Sequence, residues 1–148
     1  MKTRFLLLAA LAFLPACGSS VRTLRVTAQG GLAAASIEVD VLPDSPGAQS
    51  VPISQYFLPG NAVRAGSNPK VVRFGAGQPA TQDVSVGGLG KRAVVIAQLP
   101  GAHADAPGDS DARRKTIPLS GKLPSGAKLT EVLNVKVSQG GITVEPSN

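Results

Sequence analysis

His103 is the only histidine in the chain, and it stands in a glycine- and aspartate-rich stretch from Pro100 to Arg114. A serine or cysteine nucleophile needs a base beside it, usually histidine. No Gly-x-Ser-x-Gly elbow accompanies His103, so it reads as a solvent-facing loop residue. Asp105, Asp109 and Asp111 crowd the same loop, and clustered carboxylates are what a hard cation such as calcium requires. Their spacing lacks the alternate oxygens and closing glutamate of an EF-hand, and Arg113 and Arg114 could neutralise them instead. Gly87-Gly88-Leu89-Gly90-Lys91 has the glycines and lysine of a phosphate loop. However, Ser85 replaces the first glycine of that pattern and Arg92 stands where Ser or Thr would bind magnesium, so the segment reads as a turn between strands. Glu38, Asp40, Asp44 and Asp83 carry no burial signal that would pair them for acid–base work. Nothing calls for a metal held by nitrogen and sulfur, for a cofactor or for an enzyme, which leaves binding or assembly as the expected role.

Cys17 is the only cysteine. Before it lie Lys2 and Arg4, an apolar run from Phe5 to Leu14, and the small residues Pro15-Ala16. That order is the grammar of an export signal. The apolar run is about half the roughly 20 residues needed to span a bilayer. Leu14-Pro15-Ala16-Cys17 resembles the bacterial lipobox, in which cleavage before the cysteine leaves it as a lipid-bearing first residue. This accounts for an exported thiol without a disulfide partner. The resemblance implies two or three acyl chains, enough for stable anchoring at about 0.8 kcal/mol per buried methylene. By the sorting pattern of that class, Gly18 in place of Asp implies the periplasmic face of the outer membrane.

The expected organisation is therefore a signal peptide over 1–16, a lipidated tether over 17–22 and one domain over 23–148. The formal charge of +6 includes Lys2 and Arg4, so the mature chain keeps 13 basic and 9 acidic residues. Aromatic residues make up only 3% of the chain, and no basic run interleaved with stacking rings supports nucleic-acid binding.

The elements that would position these residues are short strands. Leu24, Val26 and Ala28 alternate with polar neighbours, as do Ile37, Val39 and Val41 against Glu38 and Asp40. The second set predicts a strand whose acidic face meets water. Pro43 to Gly47 is a loop by composition, and Val51 to Leu58 fits either a helical turn or a strand end. Further strands are expected over Val71–Phe74, Gln82–Val86, Thr116–Leu119 and Leu129–Val137, with a return through Ile142 and Val144. Ala93 to Ala97 is continuous and β-branched, which predicts a central strand buried on both faces. About eight strands separated by Gly/Pro turns predict an all-β, two-sheet sandwich, transthyretin-like or immunoglobulin-like.

The order of these features resembles the outer-membrane lipoprotein of type VI secretion systems, the TssJ family. The features are the lipobox, the strand and acidic loop Ile37 to Asp44, Tyr56-Phe57, the apolar strand Ala93–Ala97, the basic pair Arg113-Arg114 before Ile117-Pro118-Leu119, and the closing hairpin Leu133–Val144. The Asn-Pro-Asp opening and the Arg-Ile-Tyr-Gln-Leu-like strand usual in that family are absent, and Ala112 replaces the aromatic residue that often precedes the basic pair. The resemblance implies a transthyretin-type sandwich that docks a periplasmic or inner-membrane protein partner through an exposed loop. Pro43–Val51 and Gln55–Arg64 are the expected contact segments, with Tyr56 and Phe57 as anchors. The alternative is a small-ligand or calcium-binding module built on Asp105 to Asp111.

Overall fold

The computed structural model describes residues 20–148, so the signal segment, Cys17 and Gly18 lie outside the described residues. Eight strands form two four-stranded sheets. The first sheet contains β1 (Thr23–Ala28), β4 (Thr81–Ser85), β7 (Val132–Ser138) and β8 (Gly141–Pro146) in the order β4-β1-β7-β8. The second contains β2 (Ile37–Pro43), β3 (Lys70–Phe74), β5 (Arg92–Ala97) and β6 (Arg114–Pro118) in the order β3-β2-β5-β6. Strands β1 and β7 run parallel, in register from Thr23↔Val132 to Ala28↔Val137, and all other pairs are antiparallel. Because β1 and β2 lie in different sheets, the immunoglobulin order, which keeps the first two strands together, is excluded. The observed order suits the transthyretin type.

Period-two alternation explains the main core. Leu24 and Val26 from β1, Leu133 and Val135 from β7, Val39 and Val41 from β2, and Val95 from β5 all point between the sheets with no exposed surface. Strand β5 is buried on both faces, as its composition predicts. Its second face, Val94 and Ile96, joins Leu42 in a separate apolar cluster on the outside of the second sheet. Leaving each of these exposed would forfeit about 1.5–3 kcal/mol, so the outer face demands a cover. The chain between β2 and β3 supplies it as three short helices, α1 (Pro46–Ser50), α2 (Ile53–Tyr56) and α3 (Ala62–Ser67). Ala48, Val51, Ile53 and Tyr56 face inward from them.

This cover corrects two expectations. The segment expected as a plain loop at Pro43–Gly47 starts a helix at Pro46, because Ser45 accepts from Ala48 N–H at 3.1 Å and proline suits the first helical position. The acidic face of β2 does not meet water: Asp40 is fully buried and Glu38 half-buried beneath the helices. Within Val51–Leu58, the helical alternative is the one adopted.

One end of the sandwich gathers the start of β1, the end of β4 (Thr23↔Ser85), the start of β7 (Thr23↔Val132) and the end of β8 (Leu133↔Pro146). From the other sheet it gathers Lys70, Pro43, Arg92 and Pro118. Main-chain bonds from Val21 N–H to Leu119 O and from Leu119 N–H to Lys91 O, at 2.9 and 2.8 Å, tie the two sheets together there. Leu123 and Leu129, in the loop from β6 to β7, join the same core, with Leu123 beside Ile117 and Ile142 between β6 and β8.

Candidate docking surface

Strand β2 turns Glu38, Asp40 and Leu42 toward the helices. Helix α3 answers with Arg64, whose position is set by Asn61: its side chain accepts from Arg64 N–H at 3.0 Å and donates to Gln55 O at 3.2 Å. Arg64 Nε and Nη2 donate to the two Asp40 oxygens at 2.7 and 3.1 Å, and Nη2 also reaches Glu38 at 2.5 Å. Tyr56 donates its hydroxyl to the same Asp40 carboxylate at 3.0 Å. Arg73 on β3 holds the other Glu38 oxygen at 2.8 Å. The Asp40 side chain has 0% exposure, so its charge depends on these donors. The hydrogen bond to Asp40 holds the Arg64 pKa above its ordinary value, and the one from Arg64 holds the Glu38 carboxyl below its own. Burial, and then the neighbouring Asp40 charge, raise the Tyr56 phenol.

The Arg64 guanidinium lies 4.9 Å from the centre of the Phe57 ring and 5.9 Å from that of Tyr56, and the two rings meet edge to face at 4.9 Å. The charged network therefore fixes the turn that follows α2. That turn, Phe57 to Gly60, displays Leu58, which at 58% exposure is the one large apolar side chain left open among the described residues. Beside it runs an open groove lined by Phe57, Leu58, Pro59, Arg64, Val71 and Arg73, along edge strand β3.

Of the two expected anchors, Tyr56 is completely buried and serves as a support beneath the turn, out of a partner's reach. Phe57 is half-buried with one flank on the groove. Leu58 and Arg64 were not singled out as site residues in the sequence.

The Asp105–Asp111 loop is held differently from a cation cage. Arg113, itself buried, takes Asp111 at 2.7 Å and Asp105 at 2.6 Å. Asp105 also accepts from the Ser54 hydroxyl and from Ser54 N–H at 3.0 Å; these bonds, with Arg113 behind them, lower its pKa to about 2. Burial raises the Asp111 carboxyl, but its bonds from Arg113 outweigh that and leave it low. Asp109 accepts from Thr116 N–H at 2.7 Å. Among the described residues no three metal-ligating side chains converge.

Arg114 does not pair with these acids. It is buried and donates to the carbonyls of Gln49, Val51 and Ala106, pinning the segment between α1 and α2 to β6. His103 lies beside Pro100 O at 3.2 Å. Gly87–Lys91 is a turn leading into β5, with Gly88 and Gly90 at φ of +84° and +88°; no helix follows to receive a phosphate. Asp83 is matched by Arg25 across β1 and β4, and Asp44 by Arg92.

No family model and no curated protein matches the chain. Solved structures do match. A chain of a type VI membrane complex has 18% identity and a TM-score of 0.55, covering 85% of this chain and 99% of that one. Lip of Serratia marcescens, a membrane-bound component of the type VI secretion system, has 14% identity and a TM-score of 0.54 over 88% and 99%. A chain in a structure of the C-terminal domain of the type VI protein TssM from EAEC has 16% identity and a TM-score of 0.52 over 86% and 100%. At such identities the likeness is one of fold, and it spans nearly the whole of each matched chain: this protein has the two-sheet sandwich seen in solved type VI secretion structures.

Proposed function

We propose that the chain is an exported lipoprotein, anchored through Cys17 to the periplasmic face of the outer membrane, that docks a protein partner within an envelope complex of the type VI secretion kind. The observation that carries this reading is the shared sandwich over nearly the full length of the matched chains, one of which is a membrane-bound component of that system. The leader and the Leu14-Pro15-Ala16-Cys17 sequence add independent support. In this reading 1–16 is removed, the lipidated tether runs from Cys17 only as far as Ser20, since Val21 is already in the core, and the sandwich is the working part.

The contact with the partner is the turn Phe57–Gly60. Leu58 is exposed, while Arg64, held by the buried Asp40, lies against the Phe57 ring, so the turn is presented without a large ordering cost. An exposed apolar side chain on a rigid support, rimmed by arginine, fits the anatomy of a small docking site. Two substitutions test the reading. Cys17→Ser should abolish fatty-acid labelling and release the protein from membranes; retained labelling would end the anchor. Leu58→Asp should leave the melting temperature unchanged while removing an envelope protein that co-purifies with the wild type. Equal recovery of that protein by both forms would move the contact elsewhere.

A further inference from the structure

The thirteen basic and nine acidic residues of the mature chain are not evenly spread. Away from the end that holds Val21, basic and acidic residues balance, many as direct pairs such as Arg25 with Asp83, Arg64 with Asp40 and Lys136 with Glu145. At that end, or at the base of the hairpin that leaves it between β6 and β7, stand Arg22, Lys70, Lys91, Arg92, Lys122 and Lys128, against only Asp44 and Glu131. Both of those acids are taken, Asp44 by Arg92 at 2.5 Å and Glu131 by Arg22 at 3.9 Å. Lys70 is tied to the Ser85 carbonyl at 2.6 Å, bridging the two sheets. Lys91, Lys122 and Lys128 are exposed, and among the described residues no carboxylate pairs with them. The whole excess of positive charge in the mature chain thus sits at one end of the sandwich and on the hairpin that springs from it.

The same end is where the chain enters the fold. Ser20 bridges to Ser120, and Val21 N–H bonds Leu119 O. Between Cys17 and Ser20 there is room for only about 10 Å of extended chain. That is close to the distance of roughly 8 Å over which charges act in physiological salt.

From these observations we propose that the basic end lies against an anionic bilayer surface, with Lys91, Lys122 and Lys128 contacting lipid phosphates and setting the orientation of the domain. The orientation rests on the Cys17 anchor; the attraction does not, since it is a property of the folded domain alone. With this end on the membrane, the opposite end and the Leu58 turn on the flank of the second sheet remain open to a partner.

The test uses unlipidated residues 18–148, which include both sheets and both apolar clusters and so form a complete folding unit. Co-sedimentation with phosphatidylcholine vesicles, with and without phosphatidylglycerol, is the measurement. Binding to the anionic vesicles only, weakened by salt, is expected. A lysine at an anionic surface contributes roughly fivefold in partition, so Lys91→Gln/Lys122→Gln/Lys128→Gln should lower it about a hundredfold. Arg25→Gln/Lys115→Gln/Lys136→Gln carries the same net charge and should keep the wild-type partition. Melting curves of both triple variants check that the fold persists. Failure of the wild type to bind anionic vesicles, equal binding to neutral ones, or an equal loss in the two triple variants would overturn the proposal. Vesicle binding with no fatty acid on Cys17 would remove the anchor and leave the basic surface standing.

Discussion

Replacing Arg64 by leucine removes the one cation that, among the described residues, meets the fully buried Asp40 carboxylate. Breaking a buried pair from one side costs about 3–5 kcal/mol, because the charge left behind is neither hydrated nor compensated. Arg64 keeps 23% exposure and water can partly replace it, so the lower figure, about 3 kcal/mol, applies. For a domain of this size that corresponds to a fall of roughly 10 °C in melting temperature. The sharper expectation concerns Asp40→Asn in the Arg64→Leu background. Asparagine keeps an acceptor for the Tyr56 hydroxyl but carries no charge, so the second change should restore about 1–2 kcal/mol rather than add to the loss. Urea unfolding of the wild type, both single variants and the double variant measures this coupling directly. If Arg64→Leu costs under about 1 kcal/mol, or the double variant loses the sum of the singles, Asp40 is not held as a charge by Arg64 and the rigid-turn argument fails.

Two further outcomes follow from other parts of the fold. Gly141 has φ of +128°, and a Cβ there would stand 2.6 Å from the Ala112 carbonyl oxygen, where Ile142 N–H bonds that same oxygen at 3.0 Å. Gly141→Ala should therefore cost at least about 2 kcal/mol, read by urea unfolding, and a loss of a few tenths would show that the two sheets are not joined there. The second outcome concerns acid. Asp105, Asp111 and Glu38 have folded pKa values below their unfolded ones, Asp105 near 2. Such groups stabilise the fold above their unfolded values and lose that contribution as pH falls toward the folded ones. Melting temperature should hold from neutrality to about pH 5 and drop between roughly pH 4 and 2, with a shallower drop in Asp105→Asn; a main loss near pH 6 would contradict this.

Much of the sandwich was legible because its signal is local. Leu24-x-Val26-x-Ala28 and Leu133-x-Val135-x-Val137 each announce one face, and glycine pairs mark the turns. The docking surface was less legible because it depends on what covers the second sheet. Alternation in Ile37–Val41 looks the same whether the acidic face meets water or a buried arginine. A clue did exist. If β5 is buried on both faces, its neighbour β2 shares the covered face, and Leu42 follows Asp40 on that face. The stretch between β2 and β3, read only as a loop and one ambiguous segment, was long enough to provide the cover. Three helices of four to six residues show too little periodicity to be recognised beforehand. Arg64 escaped notice for the same reason, since nothing in its neighbours shows that it will fold back over Asp40. Arg114 was grouped with the acids next to it in the chain, yet its partners are carbonyls of Gln49 and Val51, which proximity in sequence does not reveal.

The parallel pairing of β1 with β7 has a bearing on how the chain reaches its folded state. Strand β1 occupies an inner position in its sheet, between β4 and β7, so that sheet has a gap until Val132–Ser138 is available to pair with Thr23–Ala28. Contacts so distant along the chain are slow to form, because the loop entropy must be lost before they give any return. For a chain synthesised from its N-terminus, completion of that sheet waits until nearly the last strand has emerged, and the second sheet, whose strands all precede β7, can pair first.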